Sequence, residues 1–312
     1  MPSAEPAHDP AAAWDIATPS RPCLLPGLGM AGFRARGTDT VDLGMVPNPA
    51  VTVVVNLGDE LLVLDGVSGR QHQDSVVVAL APSGVRGGGR HIECLQIRLS
   101  PVAAHTVLGP SWQRDATVVC LEDLWGHDAR RTQEQLRAAG SWDERFAIAQ
   151  TALLRRHETG RAIDPEVAFA WEQMVRHLGA VRVEHLAVEA GWSRKRLWSR
   201  FRDQMGLNPK RAAQLVRFDH AAHRLAAGRS AARVAAELGY ADQSHLHRDV
   251  MAFTGVTPAA VAAAPWLAID NVAWTTPEHP PAATRRRPPG RRQSPRTGRG
   301  GTFLQDARQL SL

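Results

Sequence analysis

Residues 183–258 hold two imperfect copies of one short unit, and this repeat constrains the fold more than any other feature of the chain. The first copy reads VEHLAVEAGWSRKRLWSRFRDQMGLNP and the second AARVAAELGYADQSHLHRDVMAFTGVTP. Ala187, Gly191, Leu197, Phe201, Gly206 and Pro209 correspond to Ala235, Gly239, Leu246, Val250, Gly255 and Pro258. Within a copy, Leu186, Ala187 and Ala190 fall on one helical face. Gly191 follows at the point where a left-handed residue ends a helix, which glycine adopts at least cost. Ser193 is placed to cap the next helix, and Leu197 and Phe201, four apart, face back onto the first. Arg194, Lys195, Arg196, Ser199, Arg200 and Arg202 remain outside. In the second copy Val234, Ala235, Leu238, Leu246 and Val250 fall inside, leaving Asp242, Gln243, Ser244, His247 and Arg248 outside. Helix, tight turn and second helix with an exposed polar face is the pattern of a helix-turn-helix.

One such unit is common, but two joined by a single long helix are a specific combination. Over about residues 182–262 the chain resembles the DNA-binding domain of the AraC/XylS family of transcription regulators, down to the Gly255-Val256-Thr257-Pro258 that ends the second unit. The resemblance implies base contacts from Lys195, Trp198 and Ser199 in the first unit and from Gln243, Ser244, His247 and Arg248 in the second, with Arg194, Arg196 and Arg200 completing the basic DNA-facing set. Two positions depart from the family: Ser199 stands where arginine is usual, with Arg200 beside it as an imperfect substitute, and Val250 replaces an aromatic core residue. The connector, Pro209 to Ala227, has no internal proline or glycine and reads as a straight helix with Leu215, Phe218, Ala222 and Leu225 on one stripe.

Charge is uneven along the chain. Residues 1–182 carry 17 Arg/Lys against 21 Asp/Glu, a balance of −4, and residues 183–264 carry 12 against 7, a balance of +5. Residues 277–312 carry 8 arginines against 2 acids, +6. A polyanionic partner therefore suits the back of the chain only. The Arg/Pro-rich segment 276–312 cannot bury a core and is expected to be disordered. It is either a solubilising tail or a phosphate contact without sequence preference.

Upstream of the repeat the pattern is that of strands. Residues 1–20 read as a flexible lead-in. Val51 to Leu57 is apolar and β-branched, Gly58-Asp59 reads as a turn, and Leu61 to Leu64 as the returning strand of a hairpin. Ser75 to Leu80 and His91 to Leu99 read as further strands, with Pro82 to Gly89 a glycine-rich loop. Short strands between turns suggest a small barrel or sandwich, and the family resemblance implies a cupin-like barrel here. Helices follow at about 101–108, 126–139 and 141–157; spacings such as Phe146, Ala149, Leu153 predict one apolar face. That face packs either on its own barrel or, as the resemblance implies, on a second subunit. Asp164-Pro165 reads as N-cap and first residue of a further helix ending at Gly179.

The expected architecture is an α+β multidomain chain: lead-in 1–20, a β-rich cupin-like sensing or dimerisation domain over 21–160, an all-α double helix-turn-helix domain over 161–266, and a basic tail over 276–312. A catalytic barrel is the competing class. His72, His91, Glu93 and His105 are the available metal ligands, but the His-x-His pair of cupin metal sites is absent, so no metal, cofactor or enzymatic activity is expected. No nucleophile elbow, phosphate loop or zinc-protease pair occurs. Trp112, Trp125 and Trp142 serve either a ligand pocket or the core. Three widely separated cysteines and the absence of a leader or a membrane-length apolar run point to a cytoplasmic protein. The expected function is sequence-specific binding of double-stranded DNA under a small-molecule effector, with a homodimer implied by resemblance. A metal-dependent enzyme fused to a DNA-binding domain and an effector-independent binder are the alternatives.

Overall fold

The computed structural model describes residues 10–37, 40–58, 61–65, 68–80, 84–113 and 117–274. The front half is built from strands β1 (Trp14–Ala17), β2 (Leu28–Ala35), β3 (Val41–Gly44), β4 (Val51–Asn56), β5 (Leu62–Leu64), β6 (Gln71–His72), β7 (Val76–Val78), β8 (Arg86–Gly89), β9 (Glu93–Leu99) and β10 (Val118–Cys120). They form two antiparallel sheets, one ordered β1-β2-β9-β4-β7-β10 and the other β3-β8-β5-β6.

The larger sheet is covered on both faces, which explains why β4 is buried at every position. Val51, Val53 and Val55 face a layer of helices, while Val54 joins Phe33, Val63, Val76 and Val78 between the sheets. The helical layer comprises α1 (Pro101–Leu108), α2 (Leu121–Trp125), α3 (His127–Ala138) and α4 (Trp142–Thr159). Phe146, Ala149 and Leu153 of α4 are all buried in it, so the apolar face read from the sequence packs on the chain's own barrel.

Three expectations are corrected. The lead-in expected over 1–20 contains β1, because Trp14 is buried edge-to-face against Phe33 with ring centroids 6.2 Å apart. The hairpin expected between Val51–Leu57 and Leu61–Leu64 does not form: β4 lies between β7 and β9 and offers no free edge, so β5 pairs in the other sheet. Asp59 of its expected turn lies outside the described residues. The expected loop Pro82–Gly89 contains β8, paired with β3 on one side and β5 on the other. Its glycines suit a close approach, since a Cβ on Gly88 would stand 2.8 Å from the Val41 carbonyl oxygen. The expected disordered tail, 276–312, also lies outside the described residues.

The remaining described residues are mainly helical: α5 (Pro165–Arg176), α6 (Val183–Glu189), α7 (Arg194–Met205), α8 (Pro209–Ala226), α9 (Ala231–Glu237), α10 (Gln243–Thr254), α11 (Pro258–Ala262) and α12 (Pro265–Ala273). The last is short and alanine-containing and was not anticipated from the sequence. Gly191, Gly206, Gly239 and Gly255 all adopt the left-handed conformation that their place after a helix requires. Ser193, Asn208, Asp242 and Thr257 accept backbone hydrogen bonds at the helix starts they precede. Among the described residues no helix is long and apolar enough to cross a membrane.

Gly179, between α5 and α6, carries a stricter requirement than the motif glycines. Its φ is +75°, and a Cβ there would stand 2.2 Å from the Ala213 carbonyl oxygen on α8. Gly191 has φ +68° but open space around it. Gly191→Ala should therefore cost about 1–2 kcal/mol for the left-handed backbone alone. Gly179→Ala should cost a further 1–3 kcal/mol, roughly, because the backbone of α8 must move. Urea denaturation of the two variants checks the difference.

Candidate nucleic-acid interface

α8 is the frame on which both recognition helices are mounted. Ala212, Ala213 and Val216 on one side belong to an apolar cluster with Val167 and Trp171 of α5, Leu186 and Ala187 of α6, and Leu197, Phe201 and Met205 of α7. Leu215, Phe218, Ala222 and Leu225 pack with Val234, Ala235 and Leu238 of the α9 unit and with Leu246, Val250 and Phe253 of α10. The stripe read from the sequence is thus the face toward the second unit, and the smaller residues serve the first. Phe218 and Phe253 stack with centroids 4.9 Å apart.

Each recognition helix is also tied down by a polar contact. On α7, Arg200 donates to Asp164 over 2.7 and 3.0 Å, and the Asp164 backbone N–H donates to Gln204 Oε1 at 3.1 Å. Asp164 was expected to cap α5 with its side chain; its carboxylate is instead committed to Arg200, whose hydrogen bond holds it below the usual carboxylate range. On α10, the buried Asp249 accepts from Arg217 of α8 at 3.1 Å and from Gln214 at 3.3 Å. The Arg217 guanidinium lies 4.2 Å from the Tyr240 ring centroid, and burial pushes the Tyr240 phenol up to about 12. Arg211 adds a third tie, donating to the Ala252 carbonyl at 3.1 Å while stacking on Phe253.

What these contacts leave exposed is the face the sequence singled out. On α7, Arg194, Lys195, Arg196, Ser199 and Arg200 are exposed and Trp198 is half-buried. Arg194 sits 3.4 Å from Glu184 and near the Trp198 ring; Arg196 stacks on Trp192 at 4.3 Å. Cation-on-ring packing presents a guanidinium without burying its charge. Arg194, Lys195, Trp198, Ser199, Arg202 and Asp203 line one shallow depression. Arg200 is set apart from this group by its grip on Asp164. On α10, Gln243, Ser244, His247 and Arg248 are all exposed, and the Arg248 Nε leans on the Ser244 carbonyl at 3.4 Å, one turn back.

Sequence reasoning missed Asp249, Arg217 and the Asp164–Arg200 pair. A signal existed for the first: Asp249 falls on the stripe Leu246, Val250, Phe253, where an acid must find a buried partner. The metal-ligand candidates are not brought together. Glu93 is bound by Arg34 at 2.6 Å and Arg145 at 2.5 Å, His105 is buried on α1, and His72 contacts Cys120 at 3.5 Å. Among the described residues no group of three or more His, Cys, Asp or Glu is placed to hold a metal ion. Trp112 and Trp125 are buried in the helix-facing core, and Trp142 packs on Phe146. A cavity of about 120 Å³ lies instead between the sheets, walled by side chains such as Phe33, Val54, Leu61 and Val63, with Arg98, His223 and Trp274 also on its lining.

Because Arg217 and Asp249 are nearly buried, with side chains 13% and 9% exposed, removing one partner should be far worse than removing both. Arg217→Met alone should cost about 3–5 kcal/mol, and the double variant with Asp249→Leu clearly less than the sum of the two single changes. A denaturation double-mutant cycle reads this directly; additive losses would mean the pair is unimportant.

The sequence profile of the helix-turn-helix domain family matches residues 186–264, which span α6 to α11. No curated protein matches the sequence. Among solved structures, ToxT from Vibrio cholerae O395 is similar at 11% identity and a TM-score of 0.43, covering 76% of this chain and 97% of that one. The C-terminal domain of AraT, a response regulator from Geobacillus stearothermophilus, is similar at 19% identity and a TM-score of 0.31, covering 32% and 86%. The AraC-like transcriptional activator CuxR is similar at 14% identity and a TM-score of 0.24, covering 62% and 81%. The matched residues hold both helix-turn-helix units and the α8 between them. Residues 186–264 form a double helix-turn-helix domain of the AraC type, the DNA-binding part of a transcription regulator.

Proposed function

We propose that this protein reads a specific double-stranded DNA site through two successive major-groove segments, one for α7 and one for α10. The observation that carries this reading is the mounting of both recognition helices on one uninterrupted helix of 18 residues. At 1.5 Å per residue α8 is about 27 Å long, close to the roughly 34 Å of one turn of DNA. Lys195, Trp198 and Ser199 would face bases in one segment, and Gln243, Ser244, His247 and Arg248 in the other. Arg194 and Arg196, stacked on tryptophans, suit phosphates, which position a protein without reading sequence.

The barrel suits a sensor, because the inter-sheet cavity is mainly apolar on its walls and has a few polar side chains, Arg98, Asp219, His223 and Asp270, on its lining, the composition of a small-molecule site. We read it as an effector domain rather than an enzyme, since Glu93, the best-placed acidic ligand candidate, is already held by two arginines. The groove between α3 and α4, lined by residues including Gln135, Ile148 and Ala152, is the surface by which two copies would pair. The cytoplasm is the proposed location.

The test begins with selection of binding sites from random duplexes by the full chain. On the selected site Arg248→Ala should cost about 1–3 kcal/mol, and less on random DNA. Equal losses on both would show that Arg248 touches only phosphate.

A further inference from the structure

The helix that follows the DNA-binding domain returns to the barrel. Leu267 of α12 packs in the cluster shared with α8 and α10, while Ile269 and Ala273 are buried between the sheets with Trp14 and Phe33. Trp274 lies over the Arg98 guanidinium at 4.3 Å, above Gly29 of β2, where a Cβ would already stand 3.1 Å from its ring. Asp270, between these residues, accepts two hydrogen bonds from Arg98 of β9, one of them at 3.1 Å, and its Oδ2 stands 3.4 Å from Nε2 of His223 on α8. His223 Nδ1 in turn meets the Asp219 carbonyl at 2.9 Å and its carboxylate at 3.8 Å.

One carboxylate thus joins the barrel, the C-terminal helix and the frame of the recognition helices. Its surroundings keep the joint ionic. Burial works against the His223 imidazolium, but the hydrogen bond to Asp270 and the charge of Asp219 outweigh it and hold its pKa up to about 9. Burial likewise opposes the Asp270 carboxylate, and His223 and Arg98 together keep it below the usual range. The same residues bound the cavity: Arg98, Asp219, His223, Ile269, Asp270 and Trp274 all line it. At about 120 Å³ it is smaller than the roughly 300–1,000 Å³ of a drug-sized ligand site. Trp266, Ile269 and Asp270 of α12, with Trp274 after it, are part of that lining, so a molecule of that size needs the lining, these side chains among it, to move apart.

We propose that α12 is an intramolecular strap: it closes the mouth of the barrel and, through Asp270, couples occupancy of the cavity to the C-terminal half of α8 and hence to α10. The proposal rests on the DNA-binding reading for its consequence but not for its mechanics. Polar coupling explains why a barrel residue, Arg98, and an α8 residue, His223, converge on a side chain that neither domain supplies by itself. The second motif, not the first, is the one the strap would reach, since Leu267 shares its apolar cluster with Phe218, Ala222 and Leu225, the α8 residues that face that motif, and is not in the first motif's cluster.

The test uses the full chain and two variants that attack the strap differently. Asp270→Asn removes the charge, and Ile269→Ser removes the apolar seat. Hydrogen exchange should accelerate in both over 265–274, over the β2 and β9 lip, and over 219–226 of α8, while 194–205 of α7 keeps its protection. Affinity for the selected DNA site should change by about fivefold or more. Acceleration confined to 265–274, or an unchanged affinity in a protein that binds DNA, overturns the strap. If one variant unfolds throughout, the other decides. If the wild-type chain selects no DNA site, the DNA-binding reading fails, and the exchange pattern still decides whether α12 joins the barrel to α8.

Discussion

The two-sided packing of α8 is the constraint on which the rest of the structure depends. Its 18 residues present small side chains, Ala212, Ala213 and Val216, to one motif, and Leu215, Phe218 and Leu225, larger, together with Ala222, to the other. Small residues let the first motif approach closely, to the point that Gly179 meets the α8 backbone with no room for a Cβ. Neither motif carries enough apolar surface to be stable alone. Each buries its core against α8, so the relative placement of the recognition helices is set by one rigid element rather than by a linker.

Packing fixes position; the polar contacts fix orientation. Arg200 to Asp164 holds α7 from its exposed side, and Arg217 to Asp249 holds α10 by its inner face. The first pair is partly exposed and contributes modestly to stability. The second is nearly buried, and its value lies in the cost of any arrangement that leaves one partner alone. The outer face of α7 is then free to carry cations on tryptophan rings, which would be unfavourable in a core and suits a surface that meets phosphate.

Local features were legible in the sequence and long-range ones were not. Gly191, Gly206, Gly239 and Gly255 announce their turns because a left-handed residue is a local demand, and Phe146, Ala149 and Leu153 announce a buried face because helical spacing is local. Pairing of β5 with β8 rather than β4 depends on which edges remain open after the larger sheet forms, and no residue near Leu62 encodes that. Arg86–Gly89 looks like a loop because its glycines report close approach as readily as flexibility. The exposed residues of α7 and α10 could be found because exposure follows from the apolar stripe opposite them. Arg200 could not be separated from them, since its partner Asp164 lies 36 residues away. The return of α12 to the barrel turns on Asp270, whose partners Arg98 and His223 come from two other parts of the chain.

The central claim is that α7 and α10 read DNA together from a rigid frame. It is tested most directly by inserting about half a helical turn, roughly 5 base pairs, between the two elements of the selected site and measuring the affinity of the full chain. Rotating one element to the far side of the duplex should abolish specific binding and leave only the salt-sensitive, non-specific component. Retention of specific affinity would contradict the account, because it would mean that one motif reads bases and the other only supports it.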